Sequence, residues 1–161
     1  MDAKTEVLKQ YRIPCYRVSL VREGFVASPH QRFSNSREVF EIMRPLTREF
    51  DREHFIVLML DSKNKLIGMN TVSVGSISTS VVHPREAAKP AVVHNAAAVI
   101  GIHNHPSGDA APSTEDRQCT ERLAKAFKLL GIRLLDHIII GESDYFSFAD
   151  AGLLGQMEGL Q

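Results

Sequence analysis

Three short apolar runs constrain this chain more than anything else in it: His54–Asp61 (HFIVLMLD), Ala98–His103 (AVIGIH) and Ile132–Ile140 (IRLLDHIII). None is long enough to span a bilayer, and each is nearly continuous where a half-exposed strand would alternate. They read as strands covered on both faces, so the sheet they form needs helices on each side.

The intervening segments supply them. Ser36 is placed to cap a helix carrying Val39, Ile42, Met43 and Leu46 on one stripe, with Pro45 bending it or ending it early. Pro84 suits the first turn of a helix running towards Asn95, and Pro90 implies a kink or a late start. Ser113–Gly131 is the clearest helix, with Cys119, Leu123, Ala126, Phe127 and Leu130 at helical spacing and Gly131 as its C-terminal cap. Around Gly75, Leu66–Val74 and Ile77–Val82 extend the sheet beyond a turn at Asn64, and Tyr145–Phe148 makes a last short strand. The hairpins among these elements predict an α+β fold, an α/β/α sandwich and not a doubly wound parallel sheet.

Residues 1–33 form an N-terminal strand and loop extension, and residues 34–161 form the domain, with the polar loop Ser28–Ser36 (SPHQRFSNS) at the boundary. Within the extension, Tyr16–Arg22 (YRVSLVR) alternates apolar and polar side chains and is expected to be a strand. The 161 residues suit one domain of ordinary size. Lys plus Arg number 19 and Asp plus Glu 19, a balance that argues against constitutive nucleic-acid binding, for which a basic excess is usual. Cys15 and Cys119 have neither redox nor metal-site spacing. The N-terminus has no apolar core of signal-peptide length, so a cytoplasmic protein without membrane segments is expected.

The chemistry is concentrated in Gly101–Asp116 (GIHNHPSGDAAPSTED). His103 and His105 stand two apart at a strand end and so project to one face, while Asp116 lies in the first turn of the helix that follows. Two imidazoles and one carboxylate give Zn²⁺ three ligands and leave the fourth tetrahedral position to water, the open pattern of catalytic sites. Zinc lowers the pKa of such a water to about 7. A nearby carboxylate that is not a ligand could accept its proton, and Ser113 could hydrogen-bond the oxyanion of a tetrahedral intermediate. Amide hydrolysis is the chemistry such a set suits. Taken alone, Ser113 and Asp116 read first as a capping-box variant, and it is the His-x-His at matching spacing that turns the reading towards a metal. Asp109 reads as turn chemistry, and His30, His54, His83 and His94 as ordinary surface or core residues. His137 is read as structural, with a place behind the ligands as the alternative. The zinc deaminase pattern, H-x-E with P-C-x-x-C, is absent.

His103, His105, Ser113 and Asp116 satisfy H-x-H-x7-S-x-x-D, which resembles the signature of the JAMM/MPN metalloprotease superfamily. HNHPSGDAAPSTED, with HPRE (His83–Glu86) and NAAAVI (Asn95–Ile100) before it and LLGIRLLDHIIIG (Leu129–Gly141) after, is similar to the RadC branch. The similarity runs from about Ser34 to Leu154. It implies an α/β/α sandwich with a curved, mixed, largely antiparallel sheet flanked by helices, akin to the cytidine deaminase fold. It implies zinc on His103, His105 and Asp116, and Ser113 as the oxyanion-stabilising serine. Glu53, just before the first apolar run, sits where RadC-like sequences carry their general acid/base, with Glu49 and Glu41 as weaker candidates. The activity implied is a zinc metallopeptidase cutting a peptide or isopeptide bond, its substrate a protein or peptide such as an extended ubiquitin-like tail. A non-enzymatic MPN scaffold and a DNA-repair-associated factor are the rival readings. The helix-hairpin-helix module of longer RadC-like proteins does not fit in the thirty or so residues before the domain, which weakens the DNA reading.

Overall fold

The computed structural model describes residues 12–75 and 82–159. Packed structure begins with α1 (Ser36–Thr47) and proceeds through β1 (His54–Leu60), β2 (Leu66–Val74), α2 (Pro84–Val93), β3 (Ala98–Asn104), α3 (Thr114–Leu129), β4 (Arg133–Ile140), β5 (Tyr145–Ser147) and α4 (Leu153–Gly159). The five strands make one sheet in the order β2-β1-β3-β4-β5. Three of its four pairings are antiparallel, and only β3 with β4 is parallel, joined by the crossover that contains α3. The expected mixed, largely antiparallel sheet between helices is therefore present.

Strand alternation explains why the central strands are apolar throughout. On β1, Ile56, Leu58 and Leu60 face Val39, Phe40 and Met43 of α1, while Phe55, Val57 and Met59 join Ala87, Ala91, Leu123 and Phe127 from α2 and α3. Every side chain of β3 is buried. Between β1 and β2, Asn64 takes φ +57°, and the Asp61 side chain accepts from the amides of Lys63 and Lys65 at 2.8 and 2.9 Å.

Several local expectations are corrected. Tyr16–Arg22 forms no strand: Tyr16, Val18 and Val21 are 74–88% exposed, and alternation alone cannot hold a strand that has no neighbour to pair with among the described residues. Pairing of the extension with the domain begins at the Arg32–Lys65 bridge. The cap of α1 is Asn35, whose side chain accepts from the Glu38 amide at 3.0 Å. Ser36 is instead buried, with its hydroxyl on the Asp150 carboxylate and the Tyr145 hydroxyl. Pro45 does not end α1, because it falls on the exposed side of the last turns together with Glu41, whose carbonyl water can satisfy. Helix α2 starts at Pro84 and carries Pro90 to within its last turn, so no late start occurs. In α3 the stripe is Thr120, Leu123, Ala124 and Phe127, whereas Leu130 is 49% exposed at the C-cap and Gly131 follows at φ +71°. Of the expected strand Ile77–Val82, residues 77–81 lie outside the described residues.

Candidate metal centre

The parallel β3–α3–β4 unit builds the site. β3 delivers a buried His103, and His105 follows just beyond the strand, its amide still bonded to the Ile140 carbonyl at 2.9 Å. Pro106 and Ser107 then turn the chain, and Gly108 completes the turn at φ +85°, a conformation that favours glycine. Gly141 faces this turn, and a Cβ there would lie 2.5 Å from the Gly108 carbonyl oxygen. The chain re-enters regular structure at Ser113, the N-cap of α3.

Asp116 meets the two histidines at that helix start. Its Oδ1 is 3.1 Å from His103 Nε2, and its Oδ2 is 3.4 Å from His105 Nε2, with the two Nε2 atoms 3.0 Å apart. One ligand atom from each residue lies within 4.8 Å of the others, so the group can hold a metal ion. The capping box is present at the same residue: Asp116 Oδ2 accepts from the Ser113 amide at 2.7 Å and its hydroxyl at 2.6 Å, and Ser113 Oγ accepts from the Asp116 amide at 3.1 Å. The two readings of Ser113–Asp116 are thus not exclusive, because one carboxylate oxygen serves the cap and the other faces His103.

Each histidine is held from behind. His105 Nδ1 lies 2.7 Å from the Asp109 carbonyl oxygen, while the Asp109 carboxylate accepts from the Ala111 amide, the turn role expected of it. His103 Nδ1 is 2.8 Å from Nε2 of His137, whose Nδ1 is 2.6 Å from Thr120 Oγ1. His137 is buried between Phe55 and the stacked ring of Phe148, so it stands directly behind a candidate ligand. Sequence spacing offered little sign of this, because His137 reaches His103 through strand pairing across 34 positions.

The charges follow from these contacts. Burial would raise the Asp116 pKa, but the close His103 and His105 imidazoles, the charge of His103 and the Ser113 hydroxyl hold it well below the usual carboxylate range. Burial works against protonation of His105, yet Asp116, the Asp109 carbonyl and the Glu53 carboxylate raise its pKa overall. Burial drives His137 well below an ordinary histidine, with the neighbouring His103 adding to the effect.

Glu53, just before β1, is close enough to act on His105 in this way. Its backbone is bracketed by hydrogen bonds on either side. Asn104, buried between the two histidines in sequence, accepts from the His54 amide at 2.9 Å and donates to the Arg52 carbonyl at 3.0 Å. Glu49 and Glu41 are exposed, Glu41 on α1 and Glu49 just past its end. Of the histidines expected to be ordinary, His83 caps α2 and His54 stacks on Phe50. No helix among the described residues is long and apolar enough to cross a membrane.

A UPF0758 protein of Methanosarcina mazei is 48% identical over 132 residues, 82% of this chain and 58% of that protein. One from Trichlorobacter lovleyi is 52% identical over 124 residues, 77% of this chain and 54% of the relative, and one from Geobacter sulfurreducens is 48% identical over 124. The chain therefore spans a little over half the length of the curated relatives it matches. The family model of the RadC-like JAB domain matches residues 33–153, from just before α1 to the start of α4, and the chain belongs to that family.

Proposed function

We propose that this domain is a zinc-dependent metallopeptidase that hydrolyses a peptide or isopeptide bond in a protein or peptide substrate. The observation that carries the reading is the convergence of His103 Nε2, His105 Nε2 and an Asp116 oxygen within 4.8 Å. The donor set suits zinc. The Asp109 carbonyl accepts only, so His105 carries its proton on Nδ1 and turns an Nε2 lone pair into the cluster. Lone pairs of this kind, gathered beside a carboxylate, call for a cation. When bound, zinc supplies Lewis acidity and a water acidified to about pKa 7.

The chain's own groups supply the rest. Glu53 takes the proton of the attacking water onto its carboxylate and hands it to the leaving amine. The Ser113 hydroxyl, which donates to Asp116 Oδ2 in the structure, turns to donate to the developing oxyanion while its amide keeps the cap. Asn104 holds the Arg52–His54 backbone so that Glu53 stays over the site. Beside His105 lies a cleft of about 470 Å³ lined by Arg44, Arg48, Phe50 and Pro106 among others, with room for a stretch of extended substrate.

The test is metal content and turnover together. By mass spectrometry, protein never exposed to chelator should hold about one zinc per chain, as an open three-ligand site requires. Asp116→Ala should lose it. Glu53→Gln should keep the zinc and lose cleavage of a peptide and isopeptide library. A protein that takes up no zinc on incubation with the ion sinks the metal reading, and full turnover by Glu53→Gln removes that glutamate as the base.

A further inference from the structure

We propose that Thr120 and His137 are positioning residues that set the tautomer of His103, so that its Nε2 is delivered as a lone pair to the cluster. The inference rests on the metal reading above and deepens it, since it concerns how this chain prepares one ligand.

Too few hydrogens are available to leave the tautomers free. Thr120 Oγ1 has one hydrogen and two close neighbours, the Asp116 carbonyl oxygen at 2.6 Å and His137 Nδ1 at 2.6 Å. A carbonyl cannot donate, so the hydroxyl hydrogen goes to Asp116, and the hydrogen between Thr120 and His137 must sit on His137 Nδ1. The neutral His137 ring then has a bare Nε2, 2.8 Å from His103 Nδ1. That contact needs a hydrogen, and His103 must supply it from Nδ1. Its Nε2 is left as an acceptor 3.1 Å from Asp116 Oδ1 and 3.0 Å from His105 Nε2.

The path begins and ends at one residue. It leaves the backbone carbonyl of Asp116, passes through Thr120, His137 and His103, and returns to the carboxylate of the same residue. Thr120 lies one turn beyond Asp116 on α3, so the helix that presents the carboxylate also fixes the far end of the relay. The His137 ring cannot readily swing away. Phe148 stacks on it at 5.1 Å and 7°, and Gly101 on the paired strand leaves the space it needs, where an added Cβ would come 3.4 Å from His137 Cδ2 and 3.1 Å from Phe55 Cζ. Outer-shell partners that fix a ligand histidine are a recurring feature of metal sites, but usually as a single carboxylate or carbonyl. Here the anchor is one hydroxyl, two residues removed from the ligand.

The consequence is specific. Thr120→Val keeps the shape and removes the acceptor, so His137 moves its proton to Nε2 and turns a donor towards His103. His103 must then accept at Nδ1 and carry its own proton on Nε2, where it blocks ligation. Zinc affinity, measured by chelator competition, should fall about 10–100-fold in Thr120→Val and stay near wild type in Thr120→Ser. Long-range ¹⁵N–¹H NMR of the metal-free wild type should place the His137 proton on Nδ1, and in Thr120→Val it should move to Nε2. A merely structural role would lower the thermal midpoint and leave tautomer and affinity alone. If the wild-type His137 proton is on Nε2, or Thr120→Val binds zinc as tightly as wild type, the relay is wrong even though the metal site stands. Should the wild type bind no zinc, the metal reading fails, and the NMR tautomer still decides the relay. If Thr120→Val does not fold, the wild-type tautomer and the Thr120→Ser affinity decide it.

Discussion

The two faces of the sheet are built from different materials. Under α1 the central strands present Ile56, Leu58, Leu60, Ala98, Ile100, Ile102, Ile138 and Ile140, aliphatic throughout. On the opposite face the same strands carry Phe55, Val57, Met59, Val99 and Ile139, but also His103 and His137, buried among aromatic rings and bonded to one another. Buried polar groups are costly unless every one is paired, and here the pairing runs in sequence from α3 to the site. One face provides cohesion, and the other converts cohesion into orientation.

The largest effect should come from the aliphatic face. Leu58→Ala deletes a side chain only 1% exposed at the centre of that layer and should cost about 2–5 kcal/mol in urea unfolding. Zinc stoichiometry should survive it. A variant that folded normally but lost metal would show that the two faces are not separable in this way.

A smaller effect is expected at the margin of that face, where Asp136 alternates with Ile138 on β4. Its carboxylate accepts from Ser147 Oγ at 2.6 Å and from the amides of His137 and Ala149. Burial outweighs those hydrogen bonds and pushes its pKa up to about 6. The folded chain therefore binds this proton more tightly than the unfolded one. The associated stability is full below pH 3.8 and is lost as pH rises to about 6, a change of at most about 3 kcal/mol. Wild type should lose stability relative to Asp136→Asn across that window in urea titrations. A constant gap between the two would contradict the assignment.

The smallest effect separates cap from site. Ser113→Ala removes a helix N-cap and should cost about 1 kcal/mol, whereas Ser113→Gly should cost only a few tenths. Both should lose turnover to the same extent if the hydroxyl serves the oxyanion. Activity that tracks stability across the pair would leave Ser113 as a cap alone.

How much of this was legible in the sequence depends on distance along the chain. The central strands could be read because burial on both faces leaves an unbroken apolar run, and the extent of helix α3 because its caps Ser113 and Gly131 are local, although its buried stripe turned out to include Thr120 and Ala124 in place of Ala126 and Leu130. The grouping of His103, His105 and Asp116 was legible for the same reason, since all three lie on one crossover. Tyr16–Arg22 misled because alternation signals amphipathicity and says nothing about a partner strand. Ser36 misled because Asn35 beside it caps as well, and the choice was settled by Tyr145 and Asp150 more than a hundred residues away. The place of His137 behind His103 was open only as an alternative and that of Asn104 was not read at all, because each depends on which strand pairs with which.

Asn104 has a consequence for the register of β1 on β3. That register pairs Phe55 with His103, and Glu53 lies two residues beyond the paired stretch. A two-residue slip would keep every side chain on its proper face, so the hydrophobic pattern alone does not forbid it. It would carry Glu53 roughly 7 Å along the strand, out of reach of the histidines. In the observed register the Asn104 amide bonds both the His54 N–H and the Arg52 carbonyl, just where β1 leaves the paired stretch. The residue between the two histidines thus ties a segment fifty positions upstream to the end of the strand that carries His103.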